Sequence, residues 1–116
     1  MAVFLPGNPA EDRGSHWLGG PDFAAEVVSL HDRSRKKFDF YAKVGVRDLL
    51  LVERRAWNLT YFNRDSGDWS MVGISEADRS HPLHIASLGF TFRLIPGDLR
   101  PLVEVGRPRD GATWMA

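Results

Sequence analysis

Residues 21–52 read PDFAAEVVSLHDRSRKKFDFYAKVGVRDLLLV and contain the pattern of a strand, a helix and a second strand. Residues 23–29 form a near-continuous apolar run after Gly-Gly-Pro, which is typical of a central strand buried on both faces. Residues 34–44 have a helical pattern that ends at Gly45, and residues 48–52 form a second apolar strand. Strands joined through a helix are expected to pair in parallel, with a right-handed connection.

Two charged residues in this stretch conflict with simple packing. Glu26 interrupts the first apolar strand. Taking about 100° per residue, Lys37 lies on the side of the helix that Phe40, Tyr41 and Val44 share, and we expect this apolar side to face inward. Burial disfavours a charge that has no partner. We therefore expect Glu26 and Lys37 to pair with each other or with a metal ion, and this is the strongest functional indication in the sequence.

Length and composition limit the classes of protein that this chain can belong to. Its 116 residues suit one domain, which we assign to residues 1–105, with residues 106–116 as a loose tail. There is no cysteine, which excludes disulfides, thiolate metal sites and a cysteine nucleophile. Fifteen basic and fifteen acidic residues cancel, so any nucleic-acid binding must be local. No apolar run is long enough to span a membrane, and we expect a cytoplasmic protein.

The remaining segments extend the predicted sheet. Residues 2–5 are a short strand candidate, and residues 57–62 and 69–74 alternate around a polar turn in the manner of a hairpin. Residues 90–94 are another strand, and residues 102–105 are either a strand or an irregular segment. The sequence thus predicts an α/β or α+β domain in which at least one helix packs across a mixed sheet.

A strand carboxylate followed by an inward-facing helical lysine is the arrangement that a metal-dependent phosphodiesterase requires. Glu26 would hold a divalent ion, which polarises a phosphate and lowers the pKa of a water molecule. Lys37 would position that water or stabilise the charge that develops on the phosphate. The main-chain carbonyl of Val27 is a further candidate ligand, and oxygen ligands of this kind suit Mg²⁺ or Mn²⁺ better than zinc.

A longer motif carries a resemblance to a known family. Gly-Pro-Asp-Phe-Ala-Ala-Glu-Val-Val-Ser is followed by Asp32-Arg33-Ser34-Arg35, by Lys37-x-x-x-Tyr41, by Gly45-Val46 and by Leu-Leu-Leu-Val. This string closely resembles the Uma-two (Uma2) family of putative restriction endonucleases, within the PD-(D/E)XK nuclease superfamily. The resemblance covers about residues 20–62, which is too long for a chance short motif.

The resemblance implies a restriction-endonuclease-like fold, a DNA substrate and a divalent metal ion. It implies that Glu26 is the metal-binding carboxylate and that Lys37 is the catalytic lysine, moved from the strand onto the helix. Asp22 matches the family's Pro-Asp at the strand start; capping of the strand or turn is its commoner role, and it is kept as a candidate metal ligand.

The sequence departs from the family at its beginning. In similar proteins another metal-binding aspartate lies in a Pro-Asp pair just ahead of a strand that residues 2–5 resemble, and this chain starts at Met1, immediately after that position. We therefore expect the N-terminal part of the fold to be missing. A truncated copy, a miscalled start codon and a lost activity all remain open.

Structural explanations remain open beside the functional ones. Glu26 is also explained as a strand-end carboxylate that accepts hydrogen bonds, and Lys37 as a side chain whose ammonium reaches water along Phe40. His81 and His84 have a spacing seen in metal sites, but Pro82 between them favours a loop. Ser29 and Tyr41 are expected to be structural.

Two surface features have more than one explanation. A basic cluster is either a phosphate groove or, more commonly, a solvated helix face; it comprises Arg33, Arg35, Lys36, Lys37, Lys43 and Arg47. The aromatic residues of the hairpin have three alternative explanations, namely stacking on bases, packing across strands and a dimer contact, of which we prefer the dimer contact. These hairpin aromatics are Trp57, Tyr61, Phe62 and Trp69.

The leading hypothesis is a DNA endonuclease of the Uma-two type that uses Mg²⁺ or Mn²⁺ and acts as a homodimer, with Glu26 as ligand and Lys37 as charge stabiliser. The alternative is a degenerate nuclease fold without activity, which serves as an interaction or nucleic-acid-binding module.

Overall fold

The computed structural model describes residues 2–3, 6, 8, 11–12, 17–18, 22–28, 35–55, 57–64 and 67–115. For residues 2–3, 11–12, 17–18, 28 and 35–37 the description covers the backbone alone. This part of the chain contains eleven strands and one helix. In chain order they are β1 (Ala2–Val3), β2 (Glu11–Asp12), β3 (Trp17–Leu18), β4 (Phe23–Val28), α1 (Arg35–Lys43), β5 (Asp48–Glu53), β6 (Asn58–Asn63), β7 (Ser70–Glu76), β8 (Leu83–Ile85), β9 (Phe90–Ile95), β10 (Leu102–Arg107) and β11 (Ala112–Met115).

The larger sheet has five strands in the order β1-β4-β5-β6-β7. The β4 and β5 strands pair in parallel, and the other neighbours in this sheet are antiparallel. A second, antiparallel sheet has the order β11-β10-β9-β8, and β2 pairs with β3 separately. The described residues thus form a sheet-rich α+β fold, which agrees with the prediction of an α/β or α+β domain that contains a mixed sheet.

Alternate residues of β4 and β5 face a core between the two large sheets. Ala25 pairs in register with Leu50, so both side chains point to the same face. The stacked rings of Phe23 and Phe92, with centroids 5.9 Å apart, join the two sheets. Each fully buried Leu, Ile or Phe contributes about 1.5–3 kcal/mol relative to an exposed one. The buried members are Phe23, Leu50, Leu59, Tyr61, Leu83, Ile85, Phe92 and Leu94.

The intervening residues of β4 and β5 face α1 instead. Ala24, Leu49 and Leu51 are buried on this side, and the α1 side chains of Phe38 and Tyr41 pack against them. Because β4 and β5 are covered on both faces, both read as continuous apolar runs rather than alternating ones. The strand pattern that the sequence predicted for residues 23–29 and 48–52 therefore matches the structure closely.

A glycine cap ends the helix α1 and leads the chain toward β5. Gly45 has φ of +91°, its amide donates to the Ala42 carbonyl at 3.1 Å, and the Val46 amide donates to the Tyr41 carbonyl at 3.0 Å. These two bonds are those of a Schellman motif, in which a left-handed residue satisfies the last helical carbonyls. The cap turns the chain so that Val46 enters the helix-facing core before β5 begins.

The Gly45→Ala variant should lose stability. A Cβ at this position would meet no neighbouring atom within 4 Å, so the cost is that of the left-handed backbone, about 1–2 kcal/mol. Gly67 is also open and has no positive φ, so Gly67→Ala is the matched control and should be neutral or slightly stabilising. Equal unfolding free energies of the two variants in urea would contradict the cap.

A buried carboxylate connects the two sheets at the start of the parallel pair. Asp48 is 1 % exposed, and its Oδ1 accepts hydrogen bonds from the Tyr61 hydroxyl at 2.6 Å and from the Asn63 amide at 2.8 Å. Its Oδ2 accepts a hydrogen bond of 3.0 Å from the main-chain amide of Ser87. Ser87 lies in the turn after β8. Burial alone would raise the pKa of Asp48, but hydrogen bonds from Ser87, Tyr61 and Asn63 outweigh it and hold that pKa below its usual range. Asp48 is therefore ionised at neutral pH.

The Asp48→Asn variant tests this connection. At neutral pH it should lose about 1.5–3 kcal/mol of unfolding free energy, because hydrogen bonds to a charged acceptor become bonds to a neutral amide. Since the folded-state pKa is lowered, the contribution is present above the pKa of an unfolded aspartate, about 3.9, and is lost as pH falls through the folded-state pKa. The gap between wild type and variant should accordingly shrink in acid.

An exposed aspartate provides the control. Asp98→Asn should change the unfolding free energy by less than about 0.5 kcal/mol. A gap between wild type and Asp48→Asn that stays constant down to strongly acidic pH would show that the ionised form is not what stabilises the fold.

The C-terminal half differs from the sequence prediction. Residues 106–115 were expected to be loose, but β10 continues to Arg107 and β11 pairs with it, so the prediction of a tail was wrong. Gly111, at φ of +74°, and Asp110, which bonds to Arg107 and to the Ala112 amide, form the turn between these strands. A single extended sheet was also expected, whereas β8 to β11 form a separate second sheet.

The hairpin aromatics are used within the chain. Tyr61 is 2 % exposed between the sheets, and Phe62 and Trp69 contact the Phe38 ring with centroids 4.9 and 6.1 Å away. The Trp69 indole nitrogen also donates to the Phe38 carbonyl at 2.9 Å. Tyr61, Phe62 and Trp69 therefore give no support to base stacking or to a dimer contact, and the homodimer stays a prediction.

No helix in the described part of the chain is both long and apolar enough to cross a membrane.

Candidate functional site

Glu26 lies in the middle of β4 and faces α1. It pairs in register with Leu51, which is buried in the helix-facing core, so its carboxylate points to the same side of the sheet. The Tyr41 hydroxyl donates a hydrogen bond of 2.7 Å to Glu26 Oε2. The two residues are fifteen positions apart in sequence, and the packing of α1 on the sheet brings them together.

The hydrogen bond changes the acidity of Tyr41. Burial, the hydrogen bond to Glu26 and the charge of that carboxylate together raise the pKa of Tyr41 to about 12. At neutral pH the phenol is therefore protonated and acts as a donor. It holds one oxygen of the Glu26 carboxylate in place.

Titration of the tyrosines tests this contact. The chain has two tyrosines, and burial together with a hydrogen bond to Asp48 also raises the pKa of Tyr61 to about 12. In Tyr61→Phe protein carrying ¹³C-labelled tyrosine, NMR should follow Tyr41 alone, with no ionisation near its usual pKa of about 10. Adding Glu26→Gln should lower the Tyr41 pKa toward that value, because the anionic acceptor is gone. An unchanged pKa in the double variant would contradict the contact.

The apolar face of α1 is rotated from its predicted position. Phe38 and Tyr41 pack on the sheet, whereas Phe40, expected to face inward, is 59 % exposed. The Phe40 prediction was therefore wrong. Lys37 lies in the first turn of α1, four residues before Tyr41, and so one helical turn away along the same side of the helix. The Lys37 side chain lies outside the described residues.

Most of the predicted basic cluster also lies outside the described residues. This applies to Arg33 and to the side chains of Arg35 and Lys36. Lys43 and Arg47 are described, and both are exposed. Exposure of Lys43 and Arg47 is compatible with either a phosphate groove or a solvated surface, so both explanations remain.

A second carboxylate that the sequence reasoning missed lies beside Glu26. Glu53 is the last residue of β5, is 4 % exposed, and is two residues after Leu51, the partner of Glu26, so both carboxylates belong to the same face. Strand spacing places their Cα atoms about 8 Å apart. The period of two residues along β5 could have identified it, but Glu53 resembled the first residue of a polar turn.

Asp22 immediately precedes β4, at the N-terminal end of that strand. A rise of about 3.3 Å per residue separates its Cα from that of Glu26 by about 13 Å. Its carboxylate accepts from the Asn8 amide at 2.7 Å, and its carbonyl accepts from the amides of Arg47 and Asp48 at 3.1 and 3.2 Å. These bonds agree with the capping role that the sequence also allowed.

The remaining candidates are dispersed. The Val27 side chain points to the face opposite Glu26 and is 57 % exposed, and its carbonyl as a metal ligand stays a prediction. His84 is in β8 and His81 precedes that strand, far along the chain from β4. Ser29 lies outside the described residues. In the described part of the chain, no three or more histidine, cysteine, aspartate or glutamate side chains group closely enough to hold a metal ion.

The donor set at Glu26 nevertheless suits one class of ion. Its oxygens are hard ligands, one of them is already oriented by Tyr41, and the neighbouring acid is also a carboxylate. Mg²⁺ usually keeps several waters and binds through one or two protein carboxylates together with substrate phosphates. A site with few protein ligands therefore fits Mg²⁺ or Mn²⁺ in the presence of a phosphodiester, and does not fit zinc, which requires three or four protein ligands.

Comparison with known proteins identifies a family. The family model described as Uma2, putative restriction endonuclease, matches residues 2–95, which includes β4, α1, β5 and the hairpin that follows. No curated protein and no solved structure matches the chain.

Proposed function

The chain belongs to the Uma2 family of putative restriction endonucleases, and we propose that it hydrolyses phosphodiester bonds in DNA with the help of a divalent metal ion. The observation that carries the proposal is the 2.7 Å hydrogen bond from Tyr41 to Glu26. It fixes the carboxylate that the family motif supplies, on the side of the sheet where the helix with Lys37 lies.

Glu26 is proposed as the principal ligand of Mg²⁺ or Mn²⁺, with Glu53 as the nearest additional carboxylate on that face. When bound, the ion polarises the scissile phosphate and lowers the pKa of a water molecule. Tyr41 is proposed as a positioning residue, because it donates to the ligand carboxylate and its raised pKa keeps the proton at neutral pH. The Val27 carbonyl is a further candidate ligand, and the strand spacing favours it over Asp22.

Lys37 is proposed to stabilise the negative charge that develops on the phosphate. Its place one turn before Tyr41 supports this role, since the Tyr41 hydroxyl reaches Glu26 from the same side of the helix. A cytoplasmic location and a homodimer belong to the same proposal.

Cleavage of supercoiled plasmid DNA with Mn²⁺ tests the proposal. Glu26→Gln and Lys37→Ala should each cleave at least about 100-fold more slowly than wild type, because each removes a charge that the transition state requires. The matched controls are Glu76→Gln, an exposed glutamate on β7, and Lys43→Ala, an exposed lysine on the same helix; both should cleave close to the wild-type rate.

Metal binding has a separate readout. A cation bound at Glu26 offsets the carboxylate charge, so Mn²⁺ or Mg²⁺ should lower the pKa of Tyr41 in wild type and have no effect in Glu26→Gln. Equal cleavage by all variants would defeat the assignment of these residues. If the wild-type protein shows no metal-dependent cleavage and metal does not change the pKa of Tyr41, the alternative function is favoured: a nuclease fold without activity that serves as an interaction or nucleic-acid-binding module.

A further inference from the structure

A groove lies on the face of the larger sheet opposite Glu26. It has a volume of about 390 Å³ and opens at the carboxyl ends of β4 and β5, where the second sheet contributes its other wall. Three valines, one tryptophan and two arginines line it; they are Val27, Val52, Val103, Trp57, Arg54 and Arg100. Val27 and Val52 are partners in the parallel pair, and Val27 directly follows Glu26. The groove and the carboxylate site therefore lie at the same position along β4, on opposite faces of the sheet.

Trp57 occupies a backbone position that does not suit a bulky residue. It has φ of +49°, and the pairing of Glu53 with Asn58 makes it the last residue of the four-residue loop between β5 and β6. A left-handed conformation costs about 1–2 kcal/mol for a residue other than glycine, and bulky residues there are uncommon. The indole packs partly against the core between the sheets and still lines the groove. A strained residue of this kind points to a use for its side chain.

The two arginines make the groove cationic. Arg54 comes from the same loop as Trp57, and Arg100 from the segment before β10. Both are exposed, neither forms an ion pair with any described residue, and Arg100 donates to the Pro101 carbonyl at 3.2 Å. None of the described residues that line the groove is acidic. The groove therefore combines an apolar floor, an aromatic ring and two guanidinium groups that no described carboxylate neutralises.

We propose that this groove binds one unpaired nucleotide of a DNA strand, with its base against the Trp57 indole and its phosphate between Arg54 and Arg100. Stacking on an aromatic ring beside cationic groups is the general mode by which proteins hold single-stranded nucleic acid. A base inside a duplex has no free face, so the nucleotide must be unpaired. The choice of DNA rests on the proposed function, whereas the groove itself rests on its residues.

A second groove of similar size provides a contrast. It has a volume of about 350 Å³ between α1 and the β7 side of the sheet, and its walls are also aromatic, from Phe38, Phe62 and Trp69. It is lined in addition by the carboxylates of Asp39 and Asp68, which would repel a phosphate. Charge therefore favours the Trp57 groove over this one for a nucleotide.

Binding measured without metal separates this proposal from catalysis. With EDTA present, fluorescence anisotropy of a labelled oligodeoxythymidine should show binding that weakens as salt is raised. Trp57→Leu should weaken binding about 5- to 100-fold, whereas Trp57→Phe should stay close to wild type, because the ring and not only apolar bulk holds the base. Circular dichroism of both variants checks that the loop still folds.

The arginines have a matched control in the same loop. Arg54→Gln and Arg100→Gln should each weaken binding and reduce the salt dependence, by about 0.7 in the logarithmic slope for one lost phosphate contact. Arg55→Gln carries the same charge change at an exposed residue that does not line the groove, and it should have a smaller effect. If Arg55→Gln weakens binding as much as Arg54→Gln and Arg100→Gln do, the effect comes from overall charge and the proposed site is wrong.

Further outcomes would also overturn the proposal. One is equal binding by Trp57→Leu and Trp57→Phe. Another is binding of a duplex as tight as that of the single strand. A third is binding of free thymidine monophosphate as tight as that of the oligonucleotide, because the ligand would then be a free nucleotide. Cleavage by wild type with failed binding at the groove would refute this inference alone. Tight, Trp57-dependent binding without cleavage would refute the proposed function alone.

Discussion

The buried carboxylate of Asp48 is the constraint on which the arrangement of the two sheets depends. A charge that is 1 % exposed is tolerated because the Tyr61 hydroxyl, the Asn63 amide and the Ser87 main-chain amide all donate to it. Two of these donors are in the larger sheet, and Ser87 follows β8 of the smaller sheet. Apolar packing is insensitive to direction, whereas these hydrogen bonds specify one position of the smaller sheet against the start of the parallel pair.

This position gives β4 two different faces near its centre. Glu26 points toward α1 and accepts from Tyr41, while the next residue, Val27, lines the groove that Trp57 and Arg54 share. Consecutive residues of one strand thus belong to a carboxylate site on one side and a cationic groove on the other, as the alternation of side chains requires. A DNA strand held in the groove would lie near the carboxyl ends of β4 and β5, and the carboxylates of Glu26 and Glu53 are on the other face of the sheet at that end.

Much of the strand, helix and strand unit could be predicted, because its signals are local. The apolar runs of β4 and β5 and the cap at Gly45 depend only on neighbouring residues, and the structure reproduces them within one or two positions. The separate second sheet and the strand β11 were missed, because pairing of β10 with β11 is decided by the Asp110 turn and by a partner strand rather than by an apolar run. Phe40 was misplaced because the inward direction of a short helix depends on where it packs.

The sequence alone singled out Glu26 as a candidate site residue: a glutamate in an apolar strand conflicts with burial, and that conflict is visible without coordinates. Only the tertiary structure decided which residues join it. Tyr41 and Glu53 reach the same face because α1 packs on the parallel pair and because Leu51 pairs with Glu26, and the Trp57 groove forms only when the second sheet closes over Val52. Contacts between residues far apart in the chain depend on the register and packing of whole elements, which no local pattern specifies.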